Sequence, residues 1–399
     1  METIKLQRKL NMEYSMVQGL YWTLYCILLG FASVFLLDKG YTNSQIGVIL
    51  AIGFLGSVVL QQFVAILADK TKKISLITII ILCVFCLTLC CTGLMLTNAK
   101  STILSLMFVF ALIFMMLIQP LVNSLNFYLE KIPVKINFGV ARSMGSLLFA
   151  IASMILGTAI ERIHAGILPV CAVVISVCMI LVLLCISHDY RLHCTSRKEE
   201  KTTSPVRKQS IIQFFCRYRM FFLFLIGGLG IFFGHTLINN YLFQITVSAG
   251  GDSQDLGGLQ SVSALLELPA MIFFDQLRKR FGCIKLLKLS SVFFLIKIGI
   301  TLFAGSIPLL YTAALCQTLA FAVFIPGSVH FVDETMLPED AVKGQAFVTG
   351  MITLANLLSS LCGGVLLDQY NVFYMLAVGT IVTLFGAVSA IYALSRIQK

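Results

Sequence analysis

Charge is what this chain has least of. Only 12% of its 399 residues are Asp, Glu, Lys or Arg, while 58% are hydrophobic. A soluble domain of this length has nowhere to hide that much apolar surface. Several chemistries are missing as well. There is no GxxxxGK[ST] phosphate loop, no HExxH, no GxSxG and no paired-carboxylate motif, so hydrolytic and nucleotide-driven activities lose their usual signatures. No segment alternates apolar and polar residues in the manner of a barrel strand, which excludes a transmembrane β-barrel. The basic N-terminus METIKLQRKL is not followed by a small-residue cleavage site, so the first apolar run reads as a retained helix.

What is present is a series of long apolar runs. Twelve are long enough to cross a bilayer core, which takes ~20 residues per helix. They fall at about 14–37, 44–68, 74–96, 102–129, 138–160, 166–187, 219–245, 256–277, 283–304, 307–332, 344–366 and 372–395. Helices are the form in which such runs satisfy their own backbone groups inside lipid. The sequence therefore predicts an all-α membrane protein of twelve transmembrane helices.

Lys and Arg give the orientation. With the N-terminus in the cytoplasm, 24 of the 29 basic residues fall on the cytoplasmic side and 3 fall outside, namely Lys39, Lys100 and Arg162. The positive-inside bias puts both termini in the cytoplasm. It also accounts for most of the +11 net charge, which is no sign of nucleic-acid binding. The thirteen cysteines lie mostly within apolar runs and read as small apolar filler. No cofactor or metal set is visible.

The longest polar stretch, SHDYRLHCTSRKEEKTTSPVRKQS, separates six runs from six. The expected organisation is a six-helix bundle at 1–187, a cytoplasmic linker at 188–212 and a second bundle at 213–399. The halves resemble each other. AILADKTKK follows the second run and IFFDQLRKR the eighth, each placing an acid at a helix end before a basic cluster. Asp69, Lys73, Asp275 and Arg280 are the residues expected to hold helix ends together there. Such matching is the mark of a duplicated transporter core.

Polar residues inside the runs form stripes. Tyr14, Gln18, Tyr21 and Tyr25 share one helical face, as do Gln119, Asn123, Asn126 and Glu130, and Thr349, Thr353, Asn356 and Ser360. Gln260, Ser263 and Glu267 form another stripe, and His235 and Asn239 lie one turn apart. One stripe alone would be interhelical hydrogen bonding, worth ~0.6 kcal/mol per contact. Five together predict a central aqueous cavity. The third, sixth and twelfth runs carry no mid-membrane amide or charge, which suggests three-helix units with the third helix at the periphery.

Ionic residues within the runs are few, and each costs ~2.5–3.5 kcal/mol at a helix centre. Arg142 shares a face with Ser146, Phe149 and Ser153. A guanidinium near an aromatic ring can grip a sugar, the fork taking hydroxyls and the ring taking the apolar face. The alternative is a side chain that snorkels to the surface. Glu267 is the acid deepest inside a run, and Lys297 on the next run is its natural counter-ion. The pair reads as a proton-coupling element or as a structural ion pair. His235 is a further titratable candidate, and Pro269 is expected to bend its helix locally.

At the level of families, LNFYLEKIPVKINFGVARSMGSLLFA (125–150) and LLELPAMIFF (265–274) resemble the major facilitator superfamily, and within it the lactose-permease-like oligosaccharide:proton symporters. The resemblance implies two six-helix bundles and alternating access, and the substrate contacts expected here are Arg142, Asn126, Gln119 and Phe149, with Tyr21 or Asn240. It gives Glu267 a substrate- and proton-linked position, with Lys297 where that family has arginine. Asn126 stands where the family has a sugar-binding carboxylate, Phe149 where it has a stacking tryptophan, and Gln317 where it has a lysine. Ala320 and Val323 replace its titrating pair. Related branches carry nucleosides or aromatic acids. The expected protein is thus a non-enzymatic, monomeric, multi-pass transporter of a bacterial plasma or inner membrane, moving a small solute with protons. A passive facilitator and an efflux antiporter remain alternatives.

Overall fold

Three helices in this chain begin where a short polar side chain takes a free backbone N–H. In the computed structural model, Ser75 accepts from Thr78 N, Ser101 from Leu104 N and Asn137 from Val140 N, each capping the helix that follows. The structure describes residues 2–70, 75–130, 132, 134–193 and 211–397. Its helices are α1 (Glu2–Tyr25), α2 (Ala32–Asp38), α3 (Asn43–Lys70), α4 (Leu76–Leu96), α5 (Thr102–Leu129), α6 (Phe138–Arg162), α7 (Ile167–His193), α8 (Ile211–Arg217) and α9 (Arg219–Asn240). They continue as α10 (Leu242–Ser248), α11 (Ser253–Ile272), α12 (Phe274–Phe281), α13 (Cys283–Leu302), α14 (Ile307–Leu315), α15 (Phe321–Thr335), α16 (Pro338–Gln369) and α17 (Val372–Ile397). No strand occurs among the described residues. The protein is an all-α membrane protein. By length and composition, nine described helices can cross a bilayer, or eleven if each of two bent pairs is one span. The expected run at 283–304 is present as α13, but it carries Lys285, Lys288 and Lys297 and is not among these.

Four expected spans are interrupted, the seventh at Tyr241 between α9 and α10. The first passes through a π-helical turn at Cys26–Gly30 and bends by 45° before α2. The carbonyl of Gly30 is taken up by Gln260 Nε2 at 2.7 Å. The eighth bends by 55° between α11 and α12. That bend lies at Phe273, four residues beyond Pro269, and Phe273 N still bonds to Pro269 O. The local bend expected from the proline is therefore displaced toward the basic turn. The tenth is broken by a 3₁₀ turn at Cys316–Thr318 between α14 and α15. Ala320 leaves helical geometry at φ −79, ψ −89, and Ser290 Oγ donates to its carbonyl at 2.6 Å. No residue pattern at 307–332 foretells that break.

Contacts divide the chain into two compact units. The first is Met1–Glu200 with Ser253–Ala264, and the second is Lys201–Asp252 with Leu265–Lys399. In the first, α1 packs on α6 and α7, and α4 on α5 and α7. In the second, α9 runs along α17 and α16. The α9–α17 seam has no side chains between its backbones: a Cβ on Gly227 would meet Ala390 N and, at 2.7 Å, Gly386 O. Around it lies a phenylalanine core of Phe214, Phe221, Phe224, Phe232, Phe294, Phe324 and Phe331.

Burial follows the expected period of three in part: α4, α7 and α17 are 39%, 33% and 33% buried in their most apolar windows, against 44%, 50% and 72% for α3, α5 and α9, while α6 and α16 at 39% and 33% depart from it. Within the most apolar window of α17, an expected peripheral helix, 33% of residues are buried, and the same share is buried in α16, an expected cavity helix. The outlier is α9, 72% buried at the centre of its unit.

Candidate functional site

Unit one is built around the guanidinium of Arg142. It lies one turn into α6, and Arg142 Nη1 donates to Ser146 Oγ at 3.0 Å, one turn further on. The indole of Trp22, on α1, lies across it with the ring centroid 4.0 Å from Arg142 Cζ. Trp22 touches Tyr21 edge-on at 5.5 Å and Tyr25 at 5.1 Å, and Tyr25 reaches Phe149 at 6.5 Å. Arg142 and Tyr21, expected from the sequence, thus lie against Trp22, which was not expected, and Phe149 is joined to it through Tyr25. The signal was available: Trp22 is four residues after Gln18, on the edge of the polar stripe of the first helix.

Tyr21 is fully buried, and its hydroxyl has no hydrogen-bond partner among the described residues. The same holds for Asn126 Oδ1 on α5. Buried polar atoms are normally satisfied, so each such atom calls for an explanation. Gln119 is half-buried on the same helix. The neighbouring stripe residues bond to one another, since Gln18 Nε2 reaches Tyr14 Oη at 3.0 Å and Asn123 Oδ1 at 3.2 Å.

Unit two holds the other ionic residues, and its arrangement differs from the expected direct pair. Gln317, in the 3₁₀ turn, stands between Glu267 of α11 and Lys297 of α13. Lys297 Nζ donates to Gln317 Oε1 at 2.7 Å, and Gln317 Nε2 donates to Glu267 Oε1 at 2.8 Å. Lys297 and Gln317 are buried and Glu267 is half-buried. The amide satisfies an ammonium with its acceptor and a carboxylate with its donors, the polarity a side-chain amide allows. The helix break is what aims Gln317 inward.

His235 of α9 stacks on Phe321 at 5.1 Å and meets Phe294 at 5.2 Å, one turn before Lys297. Its Nε2 lies 3.1 Å from Asn239 Nδ2, and its Nδ1 is buried without a partner among the described residues. Asn240 is turned into the helix seam, where its Nδ2 donates to Ser360 Oγ at 2.9 Å.

At the helix ends, Asp275 pairs with Arg278 at 3.7 Å and with His330 at 3.7 Å, and Arg278 also pairs with Glu334 at 3.0 Å. Arg280, expected in that role, lies against the ring of Phe281 at 5.4 Å instead. One turn of helix separates Asp275 from Arg278, which is the spacing such a pair needs. Lys73 lies outside the described residues, as does the side chain of Asp69. No group of three or more metal-ligating side chains occurs among the described residues.

The chain as a whole is similar to known proteins. The model of the MFS_1 like family matches residues 12–378. An uncharacterized transporter of Bacillus subtilis (strain 168), YwbF, is 21% identical over 345 residues, spanning 84% of this chain and 81% of its own. Among solved structures, a mutant of the nucleoside transporter NupG is similar with a TM-score of 0.78 and 16% identity, covering 98% of this chain and 99% of its own. A peptide transporter, POT, solved with alafosfalin, is similar with a TM-score of 0.71 and 10% identity, covering 99% and 94%. At these identities the structural likeness is one of fold. With the family model spanning nearly the whole described chain, the chain belongs to the MFS_1 like family and is a multi-pass membrane transporter of the major facilitator type.

Proposed function

We propose that the protein is a proton-coupled transporter that takes up a small polyhydroxylated solute by alternating access. In this reading twelve helices form two six-helix halves joined by a cytoplasmic linker at 188–212, with both termini in the cytoplasm. The solute is held on one side by Arg142, Asn126, Gln119, Tyr21 and Phe149. Glu267, with Lys297 and His235, carries the coupling proton. A sugar or oligosaccharide is the first substrate class.

The observation that carries this reading is the Lys297–Gln317–Glu267 chain. A carboxylate bonded to an amide N–H can take a proton while the ammonium keeps its own bond to the amide oxygen. The ammonium thus keeps a hydrogen-bond acceptor through the exchange, although it loses its counter-charge each time Glu267 is protonated. A purely structural pair would have no need of the intervening amide.

The aromatic surface of Trp22, Tyr25 and Phe149 supports a nucleoside as the second substrate class, because a base offers a flat face as well as ribose hydroxyls. NupG, similar in fold, is a nucleoside transporter.

The test is uphill uptake in proteoliposomes with an inward acid gradient, using labelled galactose, lactose and uridine. Wild-type protein should accumulate one of them. Glu267→Gln should still exchange that solute across the membrane but no longer concentrate it. Undiminished accumulation by Glu267→Gln would remove the coupling claim and leave another coupling group or ion. Movement only down a gradient by the wild type would favour a passive facilitator, and acid-driven export would favour an efflux antiporter.

A further inference from the structure

The stretch around Arg142 contains a glycine whose purpose is visible only in three dimensions. Gly145 lies three residues after Arg142, inside α6, where glycine is less favourable than alanine. A Cβ at Gly145 would run into Trp22 Cδ1 and lie 3.1 Å from Trp22 Nε1. The missing side chain is the space that the indole occupies. Trp22 is the single tryptophan of the chain, and tryptophan is the ring that binds a guanidinium face best.

A guanidinium carries its N–H donors in its own plane. Stacking on Trp22 covers a face and consumes none of those donors, while the bond to Ser146 Oγ fixes the rotation of that plane. Two contacts of different kinds, one with a ring and one with a hydroxyl, therefore restrain the charged fork. Such a fork pairs with two adjacent oxygen atoms, as in a carboxylate or a vicinal diol, and repels a cation.

We propose that Trp22 is a positioning residue for Arg142, admitted by the absent side chain of Gly145, and that the stack selects neutral or anionic solutes with two adjacent oxygens over cationic ones. The inference rests on the reading of Arg142 as a solute-binding residue, and it names the feature of the solute that this residue recognises.

The lone tryptophan makes the test direct. In purified protein, Gly145→Ala and Arg142→Gln should each shift the Trp22 emission to the red and increase its quenching by iodide, because each removes the stack by a different route. Unchanged emission in both variants overturns the stack itself. Recognition is tested with D-galacturonate, D-galactose and D-galactosamine, three probes with one ring shape and different charge. Galacturonate and galactose should alter the Trp22 emission and galactosamine should not. An equal response to galactosamine, or no response to any probe, overturns the selectivity.

Positioning is tested through the galacturonate dependence of the melting temperature. Trp22→Phe should retain the wild-type midpoint concentration within a few-fold, and Trp22→Leu should raise it about five- to thirtyfold. Equal midpoints for Trp22→Leu and wild type would show that the ring does not act through Arg142. A protein that responds to galacturonate in these ways but concentrates none of galacturonate, galactose, lactose and uridine under the acid gradient would refute the proton-coupled uptake reading and leave this inference standing.

Discussion

Gln317 Nε2 stands 2.8 Å from Glu267 Oε1, so the carboxylate is tied to an amide and, through it, to Lys297. Replacing Gln317 by Leu keeps the side chain's bulk but removes both bonds. Hydrogen bonds to charged groups contribute about 1.5–3 kcal/mol each, and Lys297 would be left buried without this acceptor. Gln317→Leu should lower the thermal unfolding midpoint clearly. The double variant Lys297→Met with Gln317→Leu should regain part of the loss, because no ammonium is then buried. Melting curves in one detergent decide it. A double variant less stable than Gln317→Leu would contradict the account.

The first turn of α16 is held by Asp340, only 1% exposed. Tyr218 Oη donates to Asp340 Oδ2 at 3.1 Å and accepts from Leu337 N at 3.2 Å, while Arg217 and Lys343 stand 3.8 Å from the carboxylate. Asp340→Ala should cost about 1–3 kcal/mol, the range for stranding buried polar partners. Tyr218→Phe should cost less, since the carboxylate keeps its two cations. Comparison of chemical or thermal melts gives the order, and the reverse order would argue against this network.

Gly227 and Gly350 are both helical glycines with opposite expectations. Gly227 lies in the backbone seam of α9 and α17, where an added side chain meets main-chain atoms. Gly227→Leu should abolish the folded monodisperse peak in size-exclusion chromatography. An added Cβ at Gly350 of α16 meets nothing within 4 Å. Gly350→Ala should leave the peak intact and raise stability by up to about 1 kcal/mol.

Two buried acids share one lysine near the start of α1. Lys9 Nζ lies 2.6 Å from Asp189 Oδ2 and 3.8 Å from Glu13 Oε1. Glu13 Oε2 has no hydrogen-bond partner among the described residues. Glu13→Gln removes the less well served of two like charges and should hold or raise the melting midpoint. Asp189→Asn should lower it. A larger loss in Glu13→Gln than in Asp189→Asn would reverse the assignment.

The helical membrane fold was legible because hydrocarbon imposes one simple demand, runs of about twenty apolar residues. Arg142, Glu267 and Lys297 stood out for the same reason, as ions in such runs. Their partners did not stand out. Trp22 lies on the edge of a polar stripe, but nothing along the chain links it to a guanidinium one turn into another helix. Gln317 reads as one isolated amide until the helix around it breaks. The bend between α11 and α12 falls four residues past the proline that invited it. Interruptions of this kind depend on packing between helices distant in sequence, and a period-3.6 pattern carries no record of them.

The broken tenth span has an electrostatic consequence of its own. Every helix ends with partial charges, negative where its carbonyls run out and positive where its amides begin. An unbroken span keeps both ends at the membrane faces. Here α14 runs out at Leu315 and α15 begins at Phe321, on either side of the turn that carries Gln317. Two opposed poles are therefore set into the interior of the protein, beside a lysine and a glutamate that each call for one of them. The backbone itself supplies part of the polarity that side chains alone would have to provide at this depth.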